Sequence, residues 1–142
     1  MIREFVWCGV PRGQERPRFG GHAAYKSTEA QAYEDSIAWA YRKACPGAEP
    51  IREPIGIRIA AAYPIPKTDS REVTTKKQAG AILPDKKPDI DNVAKAVLDA
   101  LNGIAWADDK QVVRLVAYKR YHDPPGLIVT IMTGEDLNRA TE

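Results

Sequence analysis

Between Asp91 and Asn102 the apolar residues Val93, Ala94, Val97, Leu98 and Leu101 recur at helical spacing, and Gly103 stands where such a helix would be closed. The spacing predicts an amphipathic helix there. A second helix is predicted over residues 30–44, rich in helix formers, with a Thr28/Gln31 capping-box signal before it and Pro46 and Gly47 after it. Strand alternation governs residues 54–63, where Ile55, Ile57, Ile59 and Ala61 interleave with Gly56, Arg58 and Ala60 until Pro64 and Pro66 close the run. Residues 2–8, 111–121 and 127–133 also read as strands. The last two are expected to form a hairpin about the turn Asp123-Pro124-Pro125-Gly126.

Two basic stretches separate these elements. Residues 11–26 carry Arg12, Arg16, Arg18 and Lys26 against the single acid Glu15, and their glycines and prolines suggest an ordered loop or ribbon. Residues 67–87 form a basic excursion with helical promise around 70–78, and residues 134–142 read as a polar, frayed tail. With no repeat and no linker, residues 1–142 are expected to form a single domain, long enough to bury roughly two thirds of its unfolded surface without a disulfide or structural metal. Cys8 and Cys45 belong to no metal or redox motif and are expected as reduced thiols in a cytoplasmic protein. No apolar stretch is long enough to suggest a membrane span.

Charge changes the picture through its distribution. The net charge is only +2, but Asp89, Asp91, Asp99, Asp108 and Asp109 fall in one 21-residue window and leave the remainder at +7. Residues two apart lie about 200° apart on a helix but on one side of an extended chain, so Asp89 and Asp91 can share a partner only if Asp89 precedes the helix. That is expected if Asp91 is the N-cap. Asp91, Lys95, Asp99 and Asn102 then line one edge of the helix, next to its apolar face. Asp109 shares strand parity with Gln111, Val113, Leu115 and Ala117, the more apolar row, and is the inward candidate of the Asp108-Asp109 pair.

Such a seam can be a plain ladder of i,i+4 ion pairs, each worth about 0.3–0.5 kcal/mol. The second acidic pair favours a metal site, because three converging carboxylates repel one another unless a cation joins them. Oxygen donors without Cys or His select Mg²⁺ or Mn²⁺. An EF-hand is excluded by Val93 and Ala94, which stand where that loop needs a ligand and a glycine. A nucleotide-sugar transferase is disfavoured by the short chain and the lack of a glycine-rich phosphate loop. Mg²⁺ beside a lysine suits hydrolysis of a phosphate ester, with Lys95 offsetting charge that develops in the transition state.

The string Lys87-Pro88-Asp89-Ile90-Asp91-Asn92-Val93-Ala94-Lys95-Ala96-Val97-Leu98-Asp99-Ala100-Leu101-Asn102-Gly103, followed by Trp106-Ala107-Asp108-Asp109-Lys110-Gln111-Val112, resembles the core motif of the RusA-type crossover junction endodeoxyribonucleases of bacteria and their phages. A looser likeness extends to Arg16-Pro17-Arg18-Phe19 and to the approach from Tyr25 to Tyr33. The resemblance implies a small single α+β domain, a mixed β-sheet of about four strands with two main helices. It further implies a homodimer that uses Mg²⁺ to nick opposing strands of a four-way (Holliday) junction in DNA recombination and repair. By the same likeness the catalytic set is Asp89, Asp91, Lys95 and Asp109, with the three acids on the metal. The excursion at 67–87 is longer than the smallest members carry.

Phosphate contacts are expected from the two basic stretches, Arg12, Arg16, Arg18 and Lys26 in the first and Lys76, Lys77, Lys86 and Lys87 in the second. Phe19, Tyr25 and His22 are of the kind that stacks on unpaired bases or anchors its own loop. Trp7, Trp39 and Trp106 are expected in core or dimer packing, and His122 at a strand end. The rival to a nuclease is a non-catalytic module that binds branched DNA and uses its acids for a structural metal ion.

Overall fold

The computed structural model describes the backbone of residues 1–15, 18–20 and 23–139, and the side chains of 1–15 and 25–139. Strand β4 (Ile55–Tyr63) is the organising element, because Arg58 is its only exposed residue. A strand apolar on both faces belongs in the middle of a sheet. It lies there, in the order β1-β6-β4-β5, with β1 (Ile2–Cys8), β5 (Val112–Tyr121) and β6 (Gly126–Thr133) completing a mixed sheet. β4 pairs with β5 in parallel and with β6 antiparallel, and β1 pairs with β6 antiparallel. The small single α+β domain expected from the sequence is present.

The expected hairpin between the last two strands does not form. β4 lies between β5 and β6, so the link from Tyr121 to Gly126 crosses over one strand instead of turning back beside its neighbour. His122 donates its backbone N–H to Tyr63 O at 2.9 Å, which ties the start of this link to β4. Alternation alone reports which face a residue takes and says nothing about which strand is adjacent.

One face of the sheet carries Phe5, Ile55, Ile57, Ile59, Leu127, Val129 and Ile131, all buried. Helices α1 (Thr28–Ala44) and α3 (Ile90–Leu101) cover it with Ile37, Tyr41, Val93 and Val97, which join the same core. The N-cap of α1 is Ser27, not the expected capping box at Thr28, and its side chain accepts from Ala30 N at 3.1 Å. Helix α2 (Arg71–Gln78) occupies the basic excursion, capped by Ser70. The ribbon of the first basic stretch is the antiparallel pair β2 (Arg18–Gly20) and β3 (Ala23–Tyr25).

The tail expected to fray forms α4 (Gly134–Arg139) over residues 134–139. It seats Leu137 on the opposite face of the sheet, where a Cβ at Gly56 would stand 2.5 Å from Leu137 Cδ1. Asp136 also pairs with the N-terminal ammonium at 2.6 Å. Cys8 and Cys45 are free. Among the described residues no helix is long and apolar enough to cross a membrane.

Trp106 is in the core at 0% exposure, whereas Trp39 is 63% exposed, with Lys43 lying 5.1 Å from its ring centroid. Trp39 is therefore not a core residue. His122 is exposed as expected.

Candidate functional site

Helix α3 fixes the site. Its buried face of Val93, Ala94, Val97 and Leu101 leaves the polar edge outward, and Asp91 and Lys95 are exposed. The helix begins two residues earlier than expected: Asp89, at φ −65° and ψ 145°, is the N-cap in place of Asp91, which lies in the first turn. Asp89 makes no side-chain cap bond, and Asp91 Oδ1 accepts from Asn92 N at 3.0 Å. Both acids still sit at the N-terminal end of α3, where unpaired backbone N–H groups and the helix dipole favour negative charge. Lys95 approaches Asp99 to 3.7 Å, so the seam read from the wheel is present.

Two braces that the sequence did not signal hold the helix and the segment that leads into it. Gln14 donates its backbone N–H to Asn92 O at 2.9 Å and its side-chain amide to Asp99. Lys119, on the helix-facing row of β5, donates to Lys86 O at 2.7 Å and to Pro88 O at 2.9 Å. Gly13 is part of the same fit, since a Cβ there would come within 2.8 Å of Pro88 Cβ.

Asp109 is elsewhere. The expected extended approach to the strand is a 3₁₀ turn, Asp109–Gln111, capped by Asp108, which accepts from Lys110 N while Gln111 reaches back to Asp108 N. Strand parity therefore stops at Val112 and does not orient Asp109. Its carboxylate accepts from Trp106 Nε1 at 2.8 Å, and Trp106 forms a bridge with Asn102, just past the end of α3. That end lies roughly 18 Å along the axis from Asp89, at 1.5 Å per residue. Among the described residues no group of three His, Cys, Asp or Glu side chains is placed to hold a metal ion. One chain thus does not assemble Asp89, Asp91 and Asp109 into a common set. Val113 and Leu115, expected inward, are 62% and 44% exposed: Leu115 pairs with Ile57 on the helix-facing row, whereas a register shift sets Val112 opposite Ile55 and leaves Val113 without a partner on β4.

The basic residues divide by what already holds them. Arg12 lies against the Tyr33 ring at 5.8 Å and pairs with Glu15 at 3.3 Å. Lys26 pairs at 2.7 Å with Glu34, a buried acid that sequence reading missed. Lys77 pairs with Asp69 at 2.6 Å and lies 4.6 Å from the Tyr121 centroid, and the hydrogen bond to Asp69 holds its ammonium above the usual lysine pKa. These three brace their own loops. Lys76 is exposed and reaches Glu72 at 3.3 Å, whereas Lys86 and Lys87 are exposed with no ion pair among the described residues. The side chains of Arg16, Arg18, Phe19 and His22 lie outside the described residues. Tyr25 is 52% exposed.

The sequence model of the family described as "Endodeoxyribonuclease RusA" matches residues 9–132. The "Uncharacterized protein YqaN" of Bacillus subtilis (strain 168) is 37% identical over 83 residues, 57% of this chain and 58% of the relative. The chain therefore spans well under two thirds of that relative's length.

Proposed function

Because the chain belongs to the RusA endodeoxyribonuclease family, we propose that it is a Mg²⁺-dependent endonuclease that resolves four-way DNA junctions by paired symmetric nicks in recombination and repair. It acts in the cytoplasm as a homodimer. The observation that carries this reading is the family match across residues 9–132, which includes the exposed acids Asp89 and Asp91 and Lys95 one turn on.

Mg²⁺ is usually held by one or two carboxylates, with waters and substrate phosphate oxygens completing its shell. Asp89 and Asp91 fit that habit as a pair, and the three-acid set does not fit within one chain. Bound there, the ion would lower the pKa of a water and neutralise phosphoryl oxygens. Lys95 is placed to stabilise charge on the reacting phosphate, and Lys86 and Lys87 to hold the neighbouring backbone.

The homodimer gives Asp109 its place in this reading. In a two-fold pair each chain's patch i meets the other's patch j in both directions. Antiparallel apposition of two α3 helices would carry Asp109 of a second copy toward Asp89 and Asp91. The exposed Val113 and Leu115 beside α3 supply apolar area for such a contact.

The test is cleavage of an end-labelled synthetic four-way junction and of a linear duplex of the same sequence, each in Mg²⁺ or EDTA, by wild type and Asp91→Asn. Paired nicks on the junction alone, lost in EDTA and in the variant, are expected. Binding without any cut in Mg²⁺ or Mn²⁺ would leave a non-catalytic junction-binding module instead.

A further inference from the structure

A pocket of about 270 Å³ opens beside the residues that lead into α3. It is lined by Tyr63 and Tyr121, by Pro64, Pro66 and Pro84, and by Val10. Lys86 and Lys87 complete the lining, and no carboxylate takes part. An aromatic and proline lining whose only charged groups are cations suits a planar ring attached to anionic groups.

The pocket is fixed relative to the site. Lys87 precedes Asp89 by two residues, a span of at most about 7 Å of extended chain. The two bonds from Lys119 to Lys86 O and Pro88 O hold that span in place. Tyr121 is held from another side by the Lys77 ammonium, which Asp69 anchors. Tyr63 keeps its hydroxyl buried and away from solvent, so it offers the pocket its ring and no donor.

We propose that this pocket receives one unpaired nucleobase of the DNA strand whose phosphate lies at Asp89 and Asp91, while Lys86 and Lys87 hold the phosphates flanking that base. The proposal rests on the endonuclease reading and adds a subsite to it. Base stacking on aromatic rings tolerates any sequence, because every base presents a π-face. With a lining mostly of tyrosine and proline side chains, the subsite senses chiefly whether a base is free to leave the stack rather than which base it is. Base pairs at the branch point of a four-way junction open more readily than those inside an intact duplex, so a base is freed there at lower cost.

The test uses synthetic four-way junctions carrying one abasic nucleotide at each position around the nick in turn, with binding measured in EDTA and nicking in Mg²⁺. Wild type is compared with Tyr121→Leu and with Val10→Trp, which fills the pocket from a 51% exposed position and spares the core. One abasic position is expected to weaken wild-type binding by about tenfold. Both variants are expected to bind the intact junction about tenfold more weakly, and to lose nothing further at that abasic position. If no abasic position matters to wild type, if Val10→Trp binds like wild type, or if variant and abasic losses multiply, the subsite is overturned while the nuclease stands. If wild type neither binds nor nicks the intact junction, the endonuclease reading itself falls.

Discussion

Trp106, wholly buried, donates its indole N–H to Asp109 at 2.8 Å, so an acid of the proposed catalytic set takes its orientation from the hydrophobic core. Trp106→Phe keeps an aromatic ring in the core but removes the donor. The expected cost is about 1–3 kcal/mol from lost volume and a lost hydrogen bond, read from urea denaturation. Junction nicking is expected to fall by more than the folded fraction does, with junction binding retained. Unchanged nicking by the folded variant would show that Asp109 needs no such orientation.

Asp109 lies apart from Asp89 and Asp91 within one chain, and this yields a mixing experiment. Asp91→Asn and Asp109→Asn are each expected to be inactive alone. Refolded together, they are expected to recover nicking at one site per mixed dimer, because one of its two sites then draws an intact acid from each chain. Failure of mixtures to recover any activity would exclude a site shared between copies.

Lys95 is exposed and its only ion pair among the described residues is the 3.7 Å contact with Asp99. Lys95→Ala is therefore expected to change stability by less than about 0.5 kcal/mol. Its nicking rate is expected to drop by about 10²–10³-fold, the scale of losing one transition-state donor, while binding persists. A thermal melt and a single-turnover assay on one preparation separate the two effects.

Burial, with a smaller contribution from nearby Tyr33, pushes the Tyr63 phenol from 10.0 up to about 12. The protonated form is favoured in the fold, so the stability tied to it is intact below pH 10 and is lost as pH rises through about 12. Tyr63→Phe is expected to lose less stability than wild type across that window in urea melts at fixed pH. At neutral pH the variant is expected to match or exceed wild type, because the hydroxyl is buried without a partner among the described residues.

At Gly126 a Cβ would stand 2.5 Å from Trp7 O, a backbone atom of the paired strand that cannot swing aside. Gly126→Ala is expected to cost about 1–3 kcal/mol. Gly56→Ala meets closely just the end of the Leu137 side chain, with Arg114 and Met132 at ordinary contact distance, and is expected to cost less. Chemical denaturation of the two variants orders them.

Periodic elements were legible in the sequence because their apolar faces are local facts. The α3 stripe, the β4 alternation and the Gly103 stop at φ 79° all lie where spacing put them. Pairing was not legible: β4 lies between β5 and β6, and alternation did not show that Gly56, Ala60 and Ala62 on its other face are buried as well, Gly56 against Leu137. The site was legible as a motif and only in part as geometry. Asp89, Asp91 and Lys95 lie at the cap and along one helix, so a wheel arranges them, whereas Asp109 opens a 3₁₀ turn that breaks strand parity. Gln14 and Lys119 reach the site across long sequence separations, and no local pattern marks them.

The strands β4 and β5 are neighbours and run parallel, so the chain must leave one end of the pair and come back to the other. That single return path carries α2, the lysine rim, α3 and the acids Asp89, Asp91 and Asp109. Register between the two strands is set by their own backbone bonds and is indifferent to how long the path is. Residues 67–87 can therefore lengthen, shorten or change charge as a cassette, redrawing the surface offered to a substrate while the strand ladder beneath keeps every pairing.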